Sequence, residues 1–256
     1  MAIRPYQDIM PRLQENLPSC PAPTIMSHIR TAAVRVCEQT LFWRHAQAPY
    51  KLMPGIFEYP YQKPQDTDVH AVFTAAVNGL PLNRVTLDNA LSTYPAWAEV
   101  YGGKSPEEIW AATPSATLNA FVFNDGVYNQ NPEFVPQPDM FEGAAHPQHF
   151  TQVTPDKYVV LPQPDADKEY EIKLIYALKP KRKASGMPQV IFDELEDAIF
   201  HTALQSLFAL PGNPWSDREM VVYHGQQSRY HMSERRARAN LGNQRGSLTA
   251  KLERWV

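Results

Sequence analysis

Hydrophobic positions recur every three to four residues near both ends of the chain, and this spacing predicts helices there. The clearest helix runs to about Thr40 and has one apolar face, formed by Ile25, Ile29, Ala32, Ala33 and Val36. A shorter helix is predicted between Tyr6 and Asn16, although Pro11 interrupts it. We therefore expect two helices within the first 44 residues, separated by a break at Leu17–Pro21.

Two further helices are predicted near the other end. One begins at Pro188 and ends before Leu210-Pro211. The next is preceded by Ser216-Asp217-Arg218-Glu219, a pattern that predicts a capping box with Ser216 as the cap, and it stops at Gly242. Its seam is only partly apolar, as its members show: Met220, Tyr223, Gln227, Tyr230 and Glu234, followed by Ala237 and Leu241. Such a seam is more typical of a subunit contact or channel lining than of a monomer core.

Between these helices the pattern changes to short runs and to alternation with a period of two, which predicts strands. The segments concerned are Gly55–Tyr61, Val69–Val77, Phe121–Phe123, Tyr158–Leu161 and Tyr170–Leu178. Asn78-Gly79 and Asn124-Asp125-Gly126 are tight-turn signals for hairpins, because type I′ turns need positive φ. Asn129–His149 is a long, proline-rich excursion, typical of a segment that covers a neighbour or carries function.

These elements predict an α+β fold in which both chain ends form a helical bundle that carries an inserted antiparallel β domain. The expected parts are N-terminal helices in residues 1–44, the β domain in 45–183, C-terminal helices in 184–242 and an extended arm in 243–256. The 24 prolines agree with this order, since few of them fall in Ala22–Thr40 or Gln189–Leu210.

Composition narrows the class of protein. No apolar run reaches the roughly 18 residues that a bilayer-spanning helix needs, and no apolar signal core follows Met1. We therefore expect no membrane contact and a protein that works in a cytoplasm or in something assembled there. Cys20 and Cys37 are too few for a disulfide framework, so they are expected to be buried, reduced thiols.

Charge is unevenly distributed along the chain. Seven basic and two acidic residues from Arg229 onwards give that segment a charge of +5. Because the net charge of the whole chain is −3, the residues before Arg229 together carry a charge of −8. Basic residues (Arg235, Arg236, Arg238, Arg245, Lys251, Arg254) and apolar anchors such as Trp255 suit docking onto an acidic protein surface. A frayed, solvated tail is the equally open alternative.

Catalytic motifs are absent from the sequence. It contains no glycine-rich nucleotide loop, no H-E-x-x-H and no G-x-S-x-G. His146 and His149 are interpreted as loop histidines rather than metal ligands, and the acidic run Asp193–Asp197 as a response to the helix dipole. The basic run Lys179–Lys183 is interpreted as a solvated linker, with a nucleic-acid contact as the alternative. We expect no enzymatic activity, no cofactor and no metal.

Several segments together resemble the head-to-tail adaptor proteins of tailed bacteriophages, relatives of the tail tubular protein A of short-tailed phages. The resemblance begins with Cys20-Pro21, Ile29–Ala33, Cys37–Thr40 and Trp43-Arg44. It continues, in order, with the following segments: Asn78-Gly79, Tyr94–Trp97, Tyr176–Pro180, Ala203–Pro211, Pro214–Asp217 and Arg236–Gly242. The loop Asn129–His149 matches least.

The resemblance implies a structural protein of the virion neck, assembled in the host cytoplasm. It implies a ring of copies, often twelve, that sits on the portal protein, contacts a tail or neck protein, and lets DNA pass through its lumen without reading it. Portal docking is then assigned to Arg235, Arg236, Arg238, Arg245, Arg254 and Trp255, and subunit contacts to Met220, Tyr223, Gln227, Tyr230 and Glu234. The alternatives are a tail-tube or tail-terminator subunit, a nucleic-acid-binding protein that uses the basic C-terminal segment, and an enzyme with an unrecognised site.

Overall fold

The structure is a computed structural model that describes residues 2–54, 56, 58–94 and 145–241. The chain divides into two compact units that interleave along the sequence. The first comprises Met1–His45, Pro64–Ala71 and Ala177–Val256, and the second comprises Ala46–Lys63 and Val72–Tyr176.

The described residues contain five α-helices. They are α1 (Met10–Asn16), α2 (Ala22–Thr40), α3 (Leu87–Thr93), α4 (Gln189–Phe208) and α5 (Arg218–Leu241). The predicted first helix is split, because a 3₁₀ turn at Tyr6–Ile9 precedes α1 and Pro11 lies in the first turn of α1. A proline is tolerated there because the first backbone N–H groups of a helix have no intrahelical partner.

Strands form three sheets among the described residues. In chain order they are β1 (Ile3–Pro5), β2 (Arg44–Ala46), β3 (Tyr50–Leu52), β4 (Glu58–Pro60), β5 (Thr67–Val77), β6 (Leu80–Pro81), β7 (Asn83–Arg84), β8 (His149–Gln152), β9 (Lys157–Leu161), β10 (Tyr170–Pro180) and β11 (Gly186–Pro188). One sheet is the antiparallel ribbon β1–β11, the second has the order β2-β10-β5-β6 with β3 also on β10, and the third has the order β4-β9-β8-β7. In the third sheet β7 and β8 are parallel.

The expected fold class, a helical bundle with an inserted antiparallel β domain, is wrong. The protein is a mixed α and β structure in which strands also belong to the helical unit, because β1 and β11 pair there and β5 and β10 have residues in both units. Ile3–Pro5 and Gly186–Pro188 gave no strand signal, since three residues containing proline or glycine show neither alternation nor β-propensity. The parallel β7–β8 pair was not foreseen either, because β7 has only two residues.

Local turn chemistry was predicted more successfully. Asn78 and Gly79 have φ values of 49° and 82°, and they join β5 to β6 with Val77 opposite Leu80, so the hairpin is confirmed. The cap of α5 is Asp217 rather than Ser216, because the Asp217 Oδ1 accepts from the backbone N–H groups of Glu219 at 2.8 Å and Met220 at 3.2 Å. The predicted turn at Asn124–Gly126, most of the loop Asn129–His149 and the arm 243–256 lie outside the described residues.

Each unit has its own buried interior. In the first unit, α2 and α4 bury aliphatic and aromatic side chains such as Ile29, Val36, Phe192, Leu195 and Ile199. Both thiols, Cys20 and Cys37, are buried and unpaired as expected. In the second unit, Tyr59, Tyr61, Tyr158 and Tyr176 form a chain of ring contacts with centroids 4.9–5.8 Å apart.

Candidate interaction surface

The last two helices, α4 and α5, form an antiparallel pair. Contacts at three levels give the register: Phe208 stacks on His224 with ring centroids 5.5 Å apart, the hydroxyls of Thr202 and Ser228 are 2.6 Å apart, and Arg235 donates to Glu194 at 2.7 Å. The start of α5 therefore lies beside the end of α4, and the end of α5 lies beside the start of α4.

The face of α5 that packs on α4 is polar for a buried helix face. His224, Ser228 and Met232, spaced four residues apart, are 6%, 1% and 8% exposed. Because an unpaired polar group is costly to bury, the buried hydroxyl of Ser228 and the ring of His224 each have a partner on α4. This explains why α5 had no clear apolar stripe in the sequence.

Three histidines meet at this interface. The Nδ1 atoms of His201 and His224 are 2.9 Å apart, so one ring donates and the other accepts. His231 stacks on His201 with centroids 5.5 Å apart and ring planes within 5°. A hydrogen bond between two imidazole nitrogens requires that at least one ring be neutral, so His201 and His224 are not both protonated.

Burial, reinforced by His224, His231 and Arg12, lowers the pKa of His201 to about 4, while Asp197 acts in the opposite direction. Burial also lowers the pKa of His224. The helix pair is therefore built around neutral imidazoles at neutral pH.

The opposite face of α5 points outward and carries most of the predicted subunit contacts. Tyr230, Tyr223 and Met220 are 65%, 50% and 43% exposed, and Val222, which the sequence pattern did not single out, is 59% exposed. We call these four residues the helix patch. Of the other two predicted contacts, Gln227 is half-buried and Glu234 is half-buried and accepts from Arg238 at 3.0 Å.

A shallow groove of about 460 Å³ lies on this outward face. Its lining residues are Arg218, Glu219, Val222, Tyr223 and Gln226. Aromatic side chains on a helix exposed to this extent are typical of protein interfaces, where tyrosine is enriched. The groove therefore offers an apolar floor with one cation and one carboxylate at its edge.

The predicted portal-docking residues fall into three groups. Arg235 is half-buried and held by Glu194, so its guanidinium is already engaged. Arg238 is exposed but pairs with Glu194 at 3.5 Å and Glu234 at 3.0 Å. Arg236 is exposed, makes no ion pair with the described residues and lines a second groove with Arg229, Glu38 and His70. Arg245, Arg254 and Trp255 lie outside the described residues.

The acidic run Asp193–Asp197, attributed to the helix dipole in the sequence, has specific partners instead. Arg4 donates to Asp193 at 2.7 Å and to Glu196 at 2.8 Å, and its guanidinium lies 4.6 Å from the Phe192 ring centroid. Arg12 pairs with Asp197 at 3.0 Å. Arg235 of α5 forms an ion pair with Glu194. The acidic run therefore connects both the N-terminal segment and the last helix to α4.

The remaining sequence candidates are also engaged. Lys179 donates to Glu38 at 2.7 Å and Lys181 lies 3.8 Å from Asp68, which reduces the positive charge that the run Lys179–Lys183 presents. His149 begins β8 and its Nδ1 lies 2.6 Å from the Tyr94 hydroxyl, whereas His146 packs on Tyr170.

Three features of the described part of the chain bear on function. No group of three or more His, Cys, Asp or Glu is placed there to hold a metal ion. Burial raises the pKa of Cys37 to about 12, so this thiol is protonated at neutral pH. Among the helices in these ranges, none combines the length and the apolar character that crossing a bilayer requires.

Comparison of the sequence with protein-family models and with curated proteins finds no match.

Proposed function

We propose that this protein is a non-enzymatic head-to-tail adaptor of a tailed bacteriophage, located in the virion neck. Copies form a ring, dodecameric by analogy with the family it resembles, that docks on the portal and leaves a channel for DNA. The proposal rests on the ordered set of sequence motifs that resemble adaptor proteins. The observation that carries it is the helix patch, an outward tyrosine and aliphatic surface that a monomer has no use for.

The ring requires that one surface of each copy meet a different surface of the next. The helix patch supplies one such surface, because its side chains are exposed on a helix whose other face is already packed. Assigning subunit contacts to Met220, Tyr223 and Tyr230 is therefore supported by their exposure, and Val222 is added to them. Gln227 and Glu234 then lie at the edge of the contact.

Portal docking is proposed for the end of α5 and the residues that follow it. Arg236 and Arg238 are exposed at this end, and the sequence continues with Arg245, Arg254 and Trp255. Arg235 supports docking indirectly, since its ion pair with Glu194 holds the end of α5 against α4. A portal surface with carboxylates beside an apolar pocket would complement these residues.

The alternative of a nucleic-acid-binding protein is less well supported. It needs free cations to neutralise phosphates. In the run Lys179–Lys183, two of the lysines already have acidic partners. Near the end of α5, Arg235 and Arg238 pair with Glu194 and Glu234, which leaves Arg236 without an ion pair among the described residues. A tail-tube or tail-terminator subunit would also form a ring and differs in its partner.

The decisive experiment is electron microscopy of the purified protein, alone and mixed with the portal protein of the same virus. We expect rings seated on the portal, and their symmetry gives the number of copies. Rings that form alone but never bind the portal would replace the adaptor with a tail-side subunit. No association in either sample, together with salt-sensitive DNA binding by the monomer, would favour the nucleic-acid-binding alternative.

A further inference from the structure

We infer that the ring interface joins two different surfaces of the first unit: the helix patch of one copy and a second apolar patch, formed by Ile3 and Val190, of the next copy. The inference rests on the proposed function, because it names the complementary surface that a ring of identical copies requires. We call Ile3 and Val190 the ribbon patch. They are 68% and 63% exposed, the highest values among the large exposed aliphatic side chains in the described first unit.

The two members of the ribbon patch lie on neighbouring elements. Ile3 pairs with Pro188 in the β1–β11 ribbon, and the backbone N–H of Gln189, the first residue of α4, donates to the Ala2 carbonyl at 3.0 Å. Val190 follows directly in the first turn of α4. Two largely exposed, branched aliphatic side chains thus belong to adjacent backbone segments of the unit.

The two patches are too far apart to be one surface of the same copy. The antiparallel register places Tyr223 and Val222 beside the end of α4 near Phe208, and it places Tyr230, two residues beyond Ser228, nearer the middle of α4, whereas Val190 lies at its start. Eighteen residues separate Val190 from Phe208, so at 1.5 Å per residue the separation along the helix pair is about 27 Å. A contact between two different patches can pass from copy to copy around a ring, as the proposed function requires.

Both patches carry apolar and charged side chains. The groove at the helix patch is lined by the apolar side chains of Val222 and Tyr223, against which Ile3 and Val190 of the next copy would pack. It is also lined by Arg218, which makes no ion pair with the described residues, and by the carboxylate of Glu219. Beside the ribbon patch, the side chains of Asp8 and Asp193 are 44% and 49% exposed and share the single cation Arg4. Arg218 of one copy would therefore meet the carboxylates of the next.

Mixing two variants tests whether the helix patch of one copy meets the ribbon patch of another. Val222→Glu disables the helix patch and Val190→Glu disables the ribbon patch, and both positions are exposed, so the fold is retained. We expect each variant alone to form no rings on the portal, while an equimolar mixture forms one-to-one complexes and nothing larger by sedimentation velocity. Rings from Val190→Glu alone would overturn the inference and leave the adaptor function standing.

A cross-link gives the positive counterpart. Val222→Cys and Val190→Cys, made in separate copies and mixed, should form a disulfide-linked dimer once rings have assembled on the portal. The native Cys20 and Cys37 are buried and do not compete. Arg35→Cys on the exposed side of α2, mixed with Val190→Cys, is the matched control and should not cross-link. If the wild-type protein forms rings on the portal but the mixed Val222→Cys and Val190→Cys copies do not cross-link, the inference is wrong and the proposed function stands. If the wild-type protein forms no rings on the portal, the proposed function is wrong as well.

Discussion

Single residues determine how closely the elements of the first unit approach one another. Gly186 lies in β11 opposite Pro5, and a Cβ added there would come within 2.3 Å of the Arg4 carbonyl oxygen. His201 has a comparable role between α4 and α5, because its ring contacts His224 and His231 at once. Both residues tolerate little change, one for steric reasons and the other for reasons of charge.

Gly186→Ala should destabilise the protein by about 1–3 kcal/mol, because the new methyl group displaces the backbone of β1. Urea unfolding monitored by circular dichroism measures the loss. Ser185→Ala is the control, since the Ser185 carbonyl, which the substitution keeps, accepts from Tyr6 at 3.0 Å. Equal stability of the Gly186→Ala and wild-type proteins would mean that β1 does not approach β11 as described.

Acidification should weaken the helix pair through His201. Its pKa is lower in the folded protein than the usual 6.5, so between pH 6.5 and 4 the unfolded state binds the proton more readily. The free energy of unfolding should therefore fall as the pH is lowered through this range, by on the order of 1–2 kcal/mol after allowance for partial exposure. His201→Phe should flatten the dependence, and an unchanged slope in that variant would contradict the assignment.

At the scale of elements, helices were predicted from the sequence better than strands. The α2 periodicity of Ile25, Ile29 and Val36 survives in the structure because one face is buried along its whole length. The buried face of α5 was not foreseen, since it consists of His224, Ser228 and Met232, whereas the aromatic residues singled out in the sequence face outward. Hydrogen bonds supplied by α4 make this polar face possible, and a single sequence gives no sign of such a partner.

Asp217→Ala should destabilise α5 by about 1 kcal/mol, because two backbone N–H groups lose the carboxylate that accepts from them. In thermal unfolding this corresponds to a decrease in Tm of roughly 2–4 °C for a chain of this size. Ser216→Ala tests the cap that the sequence pattern suggested and should have a smaller effect. A larger loss of stability in Ser216→Ala than in Asp217→Ala would identify Ser216 as the cap.

At the scale of the whole molecule, the candidate surface was predicted only in part. Tyr223 and Tyr230 were identified from their spacing, and both are exposed. Ile3 and Val190 could not have been found, because an isolated aliphatic residue in a sequence carries no indication of whether it is covered. The mixed fold class was missed for a similar reason, since the β1–β11 ribbon joins segments more than 180 residues apart.

Removal of residues 243–256 should abolish attachment to the portal while leaving the monomer folded. The last ion pairs of α5, from Arg235 and Arg238 to Glu194, lie before the cut and are retained. Pull-down with the portal protein and circular dichroism of the truncated chain measure the two outcomes separately. Normal attachment of the truncated protein would show that the end of α5, including Arg236, is sufficient for docking.

The acidic turn of α4 has a consequence for synthesis on the ribosome. Arg4 and its partner Asp193 are 189 residues apart, and Arg235 must emerge later still before Glu194 is paired. At 5–20 residues per second, roughly 10–40 s pass between the translation of Arg4 and the translation of its partner Asp193. The ribbon patch cannot form before Val190 has been translated, and the helix patch cannot form before Tyr230 has been translated. If the protein forms the proposed ring, a copy therefore cannot offer both surfaces until most of its chain has been made.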